Sequence, residues 1–265
     1  MPTITVVTVC YNSAATIEDA LLSVKAQSRP DLQHVVIDGG STDATLDIVR
    51  RHLGPCDMLV SEPDDGIYDA MNKGLRVAGG EVIGFLNSDD YFAGPDALGP
   101  VAAALDDRAL DCAWGDVLQV NAAGRARRLI RGDAFAPWML SIGVMPPHPA
   151  FYARTEKMRM LGGFAKDLRI ASDFDFMMRV FADPGLRAEY VPGLVAVMRL
   201  GGVSSAGVRA HQRTSREIVE VLKRNGRPGG QFRIAARYPL RVLELARGRV
   251  MDWQGQSYAT PWFRT

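Results

Sequence analysis

The chain has 265 residues, 47% hydrophobic and 23% charged, with a formal net charge of +1. This is ordinary globular composition, long enough for one large α/β domain or one domain with an appendage. No apolar run approaches the ~20 residues that a membrane-spanning helix needs. The three cysteines, Cys10, Cys56 and Cys112, are scattered and odd in number. They point to reduced thiols in a cytosolic protein rather than to a disulfide framework. Met1-Pro2-Thr3 leads straight into a strand-like run, which reads as no signal peptide.

The first half alternates strand and helix signals. Residues 4–9 are a β-branched run, residues 15–27 carry apolar side chains at helical spacing, and residues 34–38 form a second strand. Ser41-Thr42-Asp43 precedes a helix through about Arg51, with Ser41 or Thr42 as its cap. A third strand covers 57–60, a helix 66–77, and a fourth strand 82–86. Such alternation predicts a parallel, doubly wound sheet. After residue 90 the pattern changes. A helix is expected near 95–106, then a hairpin whose strands cover 113–120 and 125–131. Residues 132–147 read as a loop over the site with Trp138 and Met139 exposed. Helices follow over 173–184, 209–225 and 239–249, and one or two strands over 187–199.

The chemistry concentrates at predicted strand ends. Asn87-Ser88-Asp89-Asp90 directly follows an apolar strand, at the edge where open α/β sheets bind ligands. The run is good turn chemistry, and its carboxylates also suit a hard divalent cation that bridges phosphates. Tyr11-Asn12-Ser13 ends the first strand, and Asp38-Gly39-Gly40-Ser41 ends the second, so Asp38 lies at the same edge as Asp89. A carboxylate there can accept from a base N–H or a ribose hydroxyl. In residues 61–74, Asp65, Asp69, Asn72 and Lys73 fall on one side of a helix, which also suits a well-capped surface helix. The dinucleotide fingerprint G-x-G-x-x-G is absent after the first strand.

Taken together, Tyr-Asn-Ser, Asp-Gly-Gly-Ser-Thr-Asp, Asp-Asp-Gly-Ile-Tyr-Asp-Ala-Met-Asn-Lys-Gly and Asn-Ser-Asp-Asp, in this order across residues 4–92, resemble the family 2 glycosyltransferases. The likeness extends more weakly through 147–152, 162–164 and 171–179 to Gly201-Gly202-Val203-Ser204, which is similar to a subgroup of exopolysaccharide and glycolipid assembly. The resemblance implies a GT-A fold, Rossmann-like with a mostly parallel sheet flanked by helices. It implies an inverting transfer from a nucleotide-diphosphate sugar to a saccharide or polyprenyl-linked saccharide. By position, Asp38 would contact the base, and Thr8, Tyr11 and Asn12 would line its pocket, with Asp65, Asn72, Lys73, Asn87 and Ser88 also on the donor. Asp89, with Asp90, would hold a divalent cation, Mn2+ or Mg2+. Asn87 stands where the family's first acid is usual, and this brings no charge. Asp173 would be the catalytic base, because an attacking hydroxyl must lose a proton as it attacks. Ser172-Asp173 before an apolar run is also cap chemistry. His148 and Asp175 fall on the acceptor or diphosphate side. A non-catalytic nucleotide-sugar or glycan-binding relative and a sugar nucleotidyltransferase are the rival classes. The latter would want a Gly-rich, basic loop where Tyr11-Asn12-Ser13 stands.

The expected division is a catalytic domain over 1–205, with donor and acceptor halves meeting near 92, and a basic helical extension over 206–265. Residues 201–265 carry 12 Lys/Arg and four acids, a net of +8, on a body of net −7. In residues 232–250, Arg233, Arg237, Arg241, Glu244 and Arg247 fall on one side of a helical wheel and apolar residues on the other, with Trp253, Tyr258, Trp262 and Phe263 beyond. That pattern suits an anionic membrane surface at the inner face of the membrane, a helix packed on the core, or a homodimer interface. No nucleic-acid partner is expected.

Overall fold

The computed structural model describes residues 3–29, 31–201 and 207–253. Strand β1 (Ile4–Cys10) is buried along its whole length, as a β-branched run covered on both faces must be. It lies between β2 (Leu32–Asp38) and β4 (Val82–Phe85), parallel to both, and β3 (Met58–Ser61) extends the sheet beyond β2. Helices α1 (Ile17–Lys25), α2 (Thr45–His52) and α3 (Ile67–Val77) make the crossovers. Alternate residues of β1 serve opposite layers. Val7 and Val9 pack with Met71 and Leu75 of α3. Ile4 and Val6 pack with Ala20 and Val24 of α1. α3 comes so close that a Cβ on Gly74 would lie 2.4 Å from Val7 Cγ1.

The sheet continues with a change of direction. β5 (Tyr91–Phe92), α4 (Gly99–Ala104), β6 (Cys112–Val120), β7 (Ala126–Ile130), β8 (Phe151–Arg154), α5 (Thr155–Met160), α6 (Ser172–Val180) and β9 (Ala188–Arg199) follow. The strand order is β3-β2-β1-β4-β8-β6-β9-β5, with β7 paired to β6. β8 is antiparallel to β4 and β6, and β9 runs parallel to β6 but antiparallel to β5. The β5–β9 pairing folds Arg199 back onto Asp90, 109 residues earlier in the chain.

Helices α7 (Gly207–Arg224), α8 (Gln231–Ala235) and α9 (Tyr238–Trp253) lie against this same body. Ile218, Val221, Leu222 and Ile234 join the core that holds Phe174 and Met178 of α6. Residues 202–204 and the aromatics Tyr258, Trp262 and Phe263 fall outside the described residues.

Three local expectations are corrected. Residues 132–147 contain two 3₁₀ turns, Gly132–Ala134 and Pro137–Ile142, and these turn Met139 inward while Trp138 stays exposed. The helix expected over 95–106 shortens to the six residues of α4. Ser41 and Thr42 do not cap α2. Asp43 accepts from the Thr45 N–H at 3.0 Å instead, and its other oxygen accepts from the Ala14 N–H at 3.1 Å, so one carboxylate ties two loops together.

Candidate functional site

The ends of β1 and β4 and the start of α3 open onto a cleft of about 1100 Å³. Asn12, at φ +48°, holds the first loop to the second: its N–H donates to Ser41 Oγ at 2.8 Å and its Oδ1 accepts from the Thr42 N–H at 2.9 Å. The left-handed conformation at Asn12 is one that Asn tolerates better than most residues. Tyr11 stands 62% exposed beside it. Ser88 Oγ donates to Ser13 Oγ at 2.9 Å, which joins the first loop to the run after β4. Tyr11, Asn12, Asp65, Asn87, Ser88, Asp89, Asp90, His148 and Asp173 all line this cleft.

Four expected donor residues lie off it. Thr8 is fully buried, its hydroxyl 2.9 Å from His34 Nε2. Asp38 is also fully buried, because its carboxylate accepts from Ser61 Oγ at 2.7 Å, the Gly40 N–H at 3.1 Å, and both the N–H and hydroxyl of Ser41. Burial alone would push the Asp38 carboxyl up. The bonds from Ser41, Ser61 and Gly40 outweigh it and hold the group below the usual range. Asn72 grips the backbone of Phe164 through both ends of its amide, at 2.8 Å each. Lys73 donates to the Pro63 carbonyl at 2.7 Å and pairs with Glu62 at 2.9 Å. Asn72 and Lys73 therefore brace the loops that frame the cleft. Asp175, expected on the acceptor side, turns into the interior, where it pairs with Arg179 at 3.0 Å and accepts from Asn225 Nδ2.

The acidic run after β4 divides its labour. Asp90 is buried. Its Oδ1 accepts from the Arg199 N–H at 3.1 Å, while its Oδ2 and Asn87 Oδ1 have no hydrogen-bond partner. Burial and then the neighbouring Asp89 push the Asp90 carboxyl well up. Asp89 is raised too, by burial, with Arg199 and His148 opposing. Two orphaned oxygens beside an ionisable carboxylate fit a divalent cation, which would satisfy them and favour ionised acids. No cluster of three His, Cys, Asp or Glu suited to a metal occurs among the described residues. The chain would thus supply a minority of the ligands, as with cations bound through one or two carboxylates and substrate phosphates.

Across the cleft, Asp173 sits in the first turn of α6 and not at its cap. His148 Nδ1 lies 3.7 Å from Asp173 Oδ2. Burial raises the Asp173 carboxyl and lowers His148, whose charged form Asp173 and Asp89 favour. Two residues that sequence reasoning passed over set this corner. Tyr68 Oη donates to the Ile170 carbonyl at 2.5 Å and interacts with Asp173. Glu217 Oε2 accepts from the N–H groups of Arg169, Ile170 and Ala171 at 3.2, 2.8 and 3.0 Å, fixing the entry to α6. A third is Arg199, which pairs with Asp19, donates to the Asp89 carbonyl at 3.2 Å and lies over the Tyr91 ring.

A second cavity of about 320 Å³ adjoins the first. His148 and Asp173 line both, together with Gln119, Ile170, Met198 and Leu200, so the pair stands in the wall that the two share.

A Rossmann-like half joined to a mixed half, with acids gathered where the parallel strands end, defines a glycosyltransferase of GT-A fold, and solved structures agree. A mannosyltransferase of Pyrobaculum calidifontis, in complex with GDP-Man and Mn2+, superposes with a TM-score of 0.63 over 97% of this chain and 76% of that one, at 26% identity. TarS of S. aureus in complex with UDP-GlcNAc has the same fold, with a TM-score of 0.62 at 21% identity over 83% of this chain and 66% of that one. In sequence, residues 5–182 match glycosyl transferase family 2. The chain is 32% identical over 209 residues to a PGL/p-HBAD biosynthesis glycosyltransferase of Mycobacterium tuberculosis, covering 77% of this chain and 80% of that one. It is 27% identical over 186 residues to the chondroitin synthase of Pasteurella multocida, of which it spans only 19%. The chain belongs to glycosyl transferase family 2 and is a glycosyltransferase.

Proposed function

We propose that the large cleft takes a nucleotide-diphosphate sugar and that the second cavity takes a saccharide or lipid-linked saccharide. The sugar then passes between them with inversion at the anomeric carbon. The observation that carries this is the meeting of the two cavities at Asp173 and His148. Asp173 accepts the proton of the attacking hydroxyl, and its raised pKa makes it a stronger base than an exposed carboxylate. Tyr68 and Glu217 hold α6 and its carboxylate in place. Tyr11 and Asn12 border the nucleotide, and Asp89, with Asn87 and Asp90, would hold the cation. A divalent ion bound there offsets the charge that the leaving diphosphate gains. The donors named for the neighbours, GDP-Man and UDP-GlcNAc, set the first compounds to try.

The test is transfer or slow hydrolysis of UDP- and GDP-sugars with Mn2+. Asp173→Asn should lower turnover by roughly 10²–10⁴-fold while nucleotide affinity holds. A near-normal rate in that variant removes Asp173 from the chemistry. The anomeric configuration of the product decides between inversion and retention.

We also propose that the enzyme works at an anionic membrane surface on the cytoplasmic side. No described helix is long and apolar enough to cross a membrane. Of the three roles open to this segment, packing of the apolar face of α9 on the core is not what the structure has: Arg241 and Glu244, with Arg237 just before the helix, line the second cavity, while Tyr238, Val242, Leu243, Leu245 and Val250 are exposed. Exposed Arg125, Arg127, Arg233 and Arg249 accompany that apolar stripe. An outward apolar face with cations around it suits shallow insertion among anionic headgroups. Sedimentation with anionic but not neutral vesicles is the expected result. A concentration-dependent dimer without vesicle binding would instead make this stripe a self-association surface.

A further inference from the structure

The second cavity carries three arginines against two carboxylates, Glu244 and Asp173. Arg128, Arg237 and Arg241 reach it from β7 and from α9 with the residue before it, and Glu244 is the acid among them. Glu244 is taken by Arg128, at 2.7 Å from Nε and 2.5 Å from a terminal nitrogen. Arg237 is 2% exposed, donates to Ser215 Oγ at 3.1 Å, and leaves its Nε without a partner. Its guanidinium lies against Gly143, where a Cβ would come within 3.3 Å of it. No ion pair of Arg237 or Arg241 is found among the described residues. Burial, and then each other's charge or that of Arg128, lower both guanidinium groups, Arg237 to about 10. Like charges gathered away from water, with an orphaned donor, are costly unless a ligand completes them. Ile218, Leu240 and Met198 give the same cavity an apolar lining beside the arginines. At the inner end stand His148 and Asp173.

We infer that this cavity is an oxyanion-binding acceptor subsite, in which Arg237 and Arg241 grip a phosphate or carboxylate carried by an amphiphilic acceptor whose hydroxyl is presented to Asp173. The inference rests on the reading of Asp173 as the base. It adds to that reading that the acceptor is anionic and that its apolar part runs along Ile218 and Leu240 towards α9. Bidentate guanidinium geometry suits such a group, and both cations are held where their bonds to an anion are strong.

The probes are n-octyl phosphate below its micelle-forming concentration, n-octyl β-glucoside and inorganic phosphate, titrated calorimetrically against the full chain. Octyl phosphate should bind the wild type, the glucoside at least about tenfold more weakly, and Arg241→Gln and Arg237→Gln should each lose about tenfold or more for octyl phosphate. UDP and GDP should bind all three proteins alike. Arg237→Lys should recover part of the loss. Unliganded Arg241→Gln should melt no lower than the wild type, because a repulsive charge is gone, so its lost affinity would not be lost fold. Equal octyl phosphate affinity in wild type and both variants overturns the subsite. So does displacement of octyl phosphate by UDP or GDP, which would give the arginines to the donor. Inorganic phosphate binding as tightly as octyl phosphate overturns the amphiphile. Arginine-dependent binding in an enzyme whose Asp173→Asn variant turns over normally keeps the subsite and removes the base.

Discussion

Helices α3 and α9 are both two-faced, and they are seated in opposite senses. α3 turns Met71, Gly74 and Leu75 onto the apolar side chains of β1 and leaves its acidic first turn at the cleft. α9, with Arg237 just before it, turns Arg241, Glu244 and Gly248 onto β7 and the second cavity, and leaves its apolar stripe outside. The difference lies in the partner surfaces. β1 offers valine, while β7 offers the backbone of Arg127 and Arg128 and the guanidinium of Arg128. A wheel therefore fixes the two faces of a helix, and the surface it meets decides which one is covered. In α3 the covered face holds the fold together. In α9 the covered face lines the second cavity.

Both helices use a glycine at the closest approach, and the pair breaks or confirms the comparison most directly. Gly74→Ala places a methyl 2.4 Å from Val7 Cγ1, in a β-branched side chain with no room to move. Overpacking of this kind costs about 1–3 kcal/mol, seen as a lower midpoint of global denaturation. Gly248→Ala places a methyl 2.4–2.5 Å from the backbone of Arg127 and Arg128. It should lift α9 alone, with faster hydrogen exchange and proteolysis over 236–253 and unchanged nucleotide affinity. Global unfolding of Gly248→Ala, or a silent Gly74→Ala, would erase the distinction.

Acid sharpens the same contrast, since the sheet under α3 holds a buried histidine and neither α9 nor β7 has any. Burial lowers His34 from its ordinary 6.5 to about 4, with Asp57 opposing. Below pH 6.5 the unfolded chain binds a proton that the folded chain refuses until about pH 4. Stability thus falls as pH falls through that window, by about 2 kcal/mol at pH 5. His34→Gln should flatten this slope in denaturation measured from pH 7 to pH 5. An unchanged slope would place the acid sensitivity elsewhere.

What was legible in the sequence was local. The buried run 4–9, the glycines after Asp38 and the acids after residue 86 each announce a strand end within a few residues, and their alternation yields the parallel half. Depth was not legible. Thr8 and Asp38 lie at the right edge, yet loop hydroxyls and His34 enclose them, and only the folded loops show this. Asn72 and Lys73 share a helix side with Asp69, but a helical wheel cannot tell a brace from a ligand contact. Arg199 and Glu217 reach their partners across long sequence separations, so no spacing pointed to them. Tyr68 carried a usable signal, since a tyrosine one turn into an acidic motif has a hydroxyl to place.

That hydroxyl tests whether α3 also serves the acceptor side. Tyr68→Phe removes the bond to the Ile170 carbonyl and the contact with Asp173, and should cost about 1 kcal/mol of stability. Turnover should fall by more than that figure converts to, about tenfold or beyond, with nucleotide affinity unchanged. The pH at which turnover rises should move upward, because Tyr68 favours the ionised Asp173. A variant that loses only stability would make Tyr68 a packing residue.

The outward stripe of α9 should be nearly silent in the fold and loud at a surface. Val242 and Leu245 are 65% and 47% exposed. Replacing both by Ser should change stability by no more than about 0.5 kcal/mol, as for surface positions generally. If the stripe enters the headgroup layer, each side chain brings up to about 1.5–3 kcal/mol of burial, so vesicle binding should fall by at least about tenfold. Arg249→Gln should weaken it less, by about 1 kcal/mol, and only at low salt. The two variants thus separate insertion from charge attraction. Insertion predicts that the Ser pair dominates at all salt concentrations. Charge attraction predicts that Arg249 dominates and that both effects vanish at high salt. Vesicle binding untouched by either change would leave α9 a helix whose inward arginines matter and whose outer face does not.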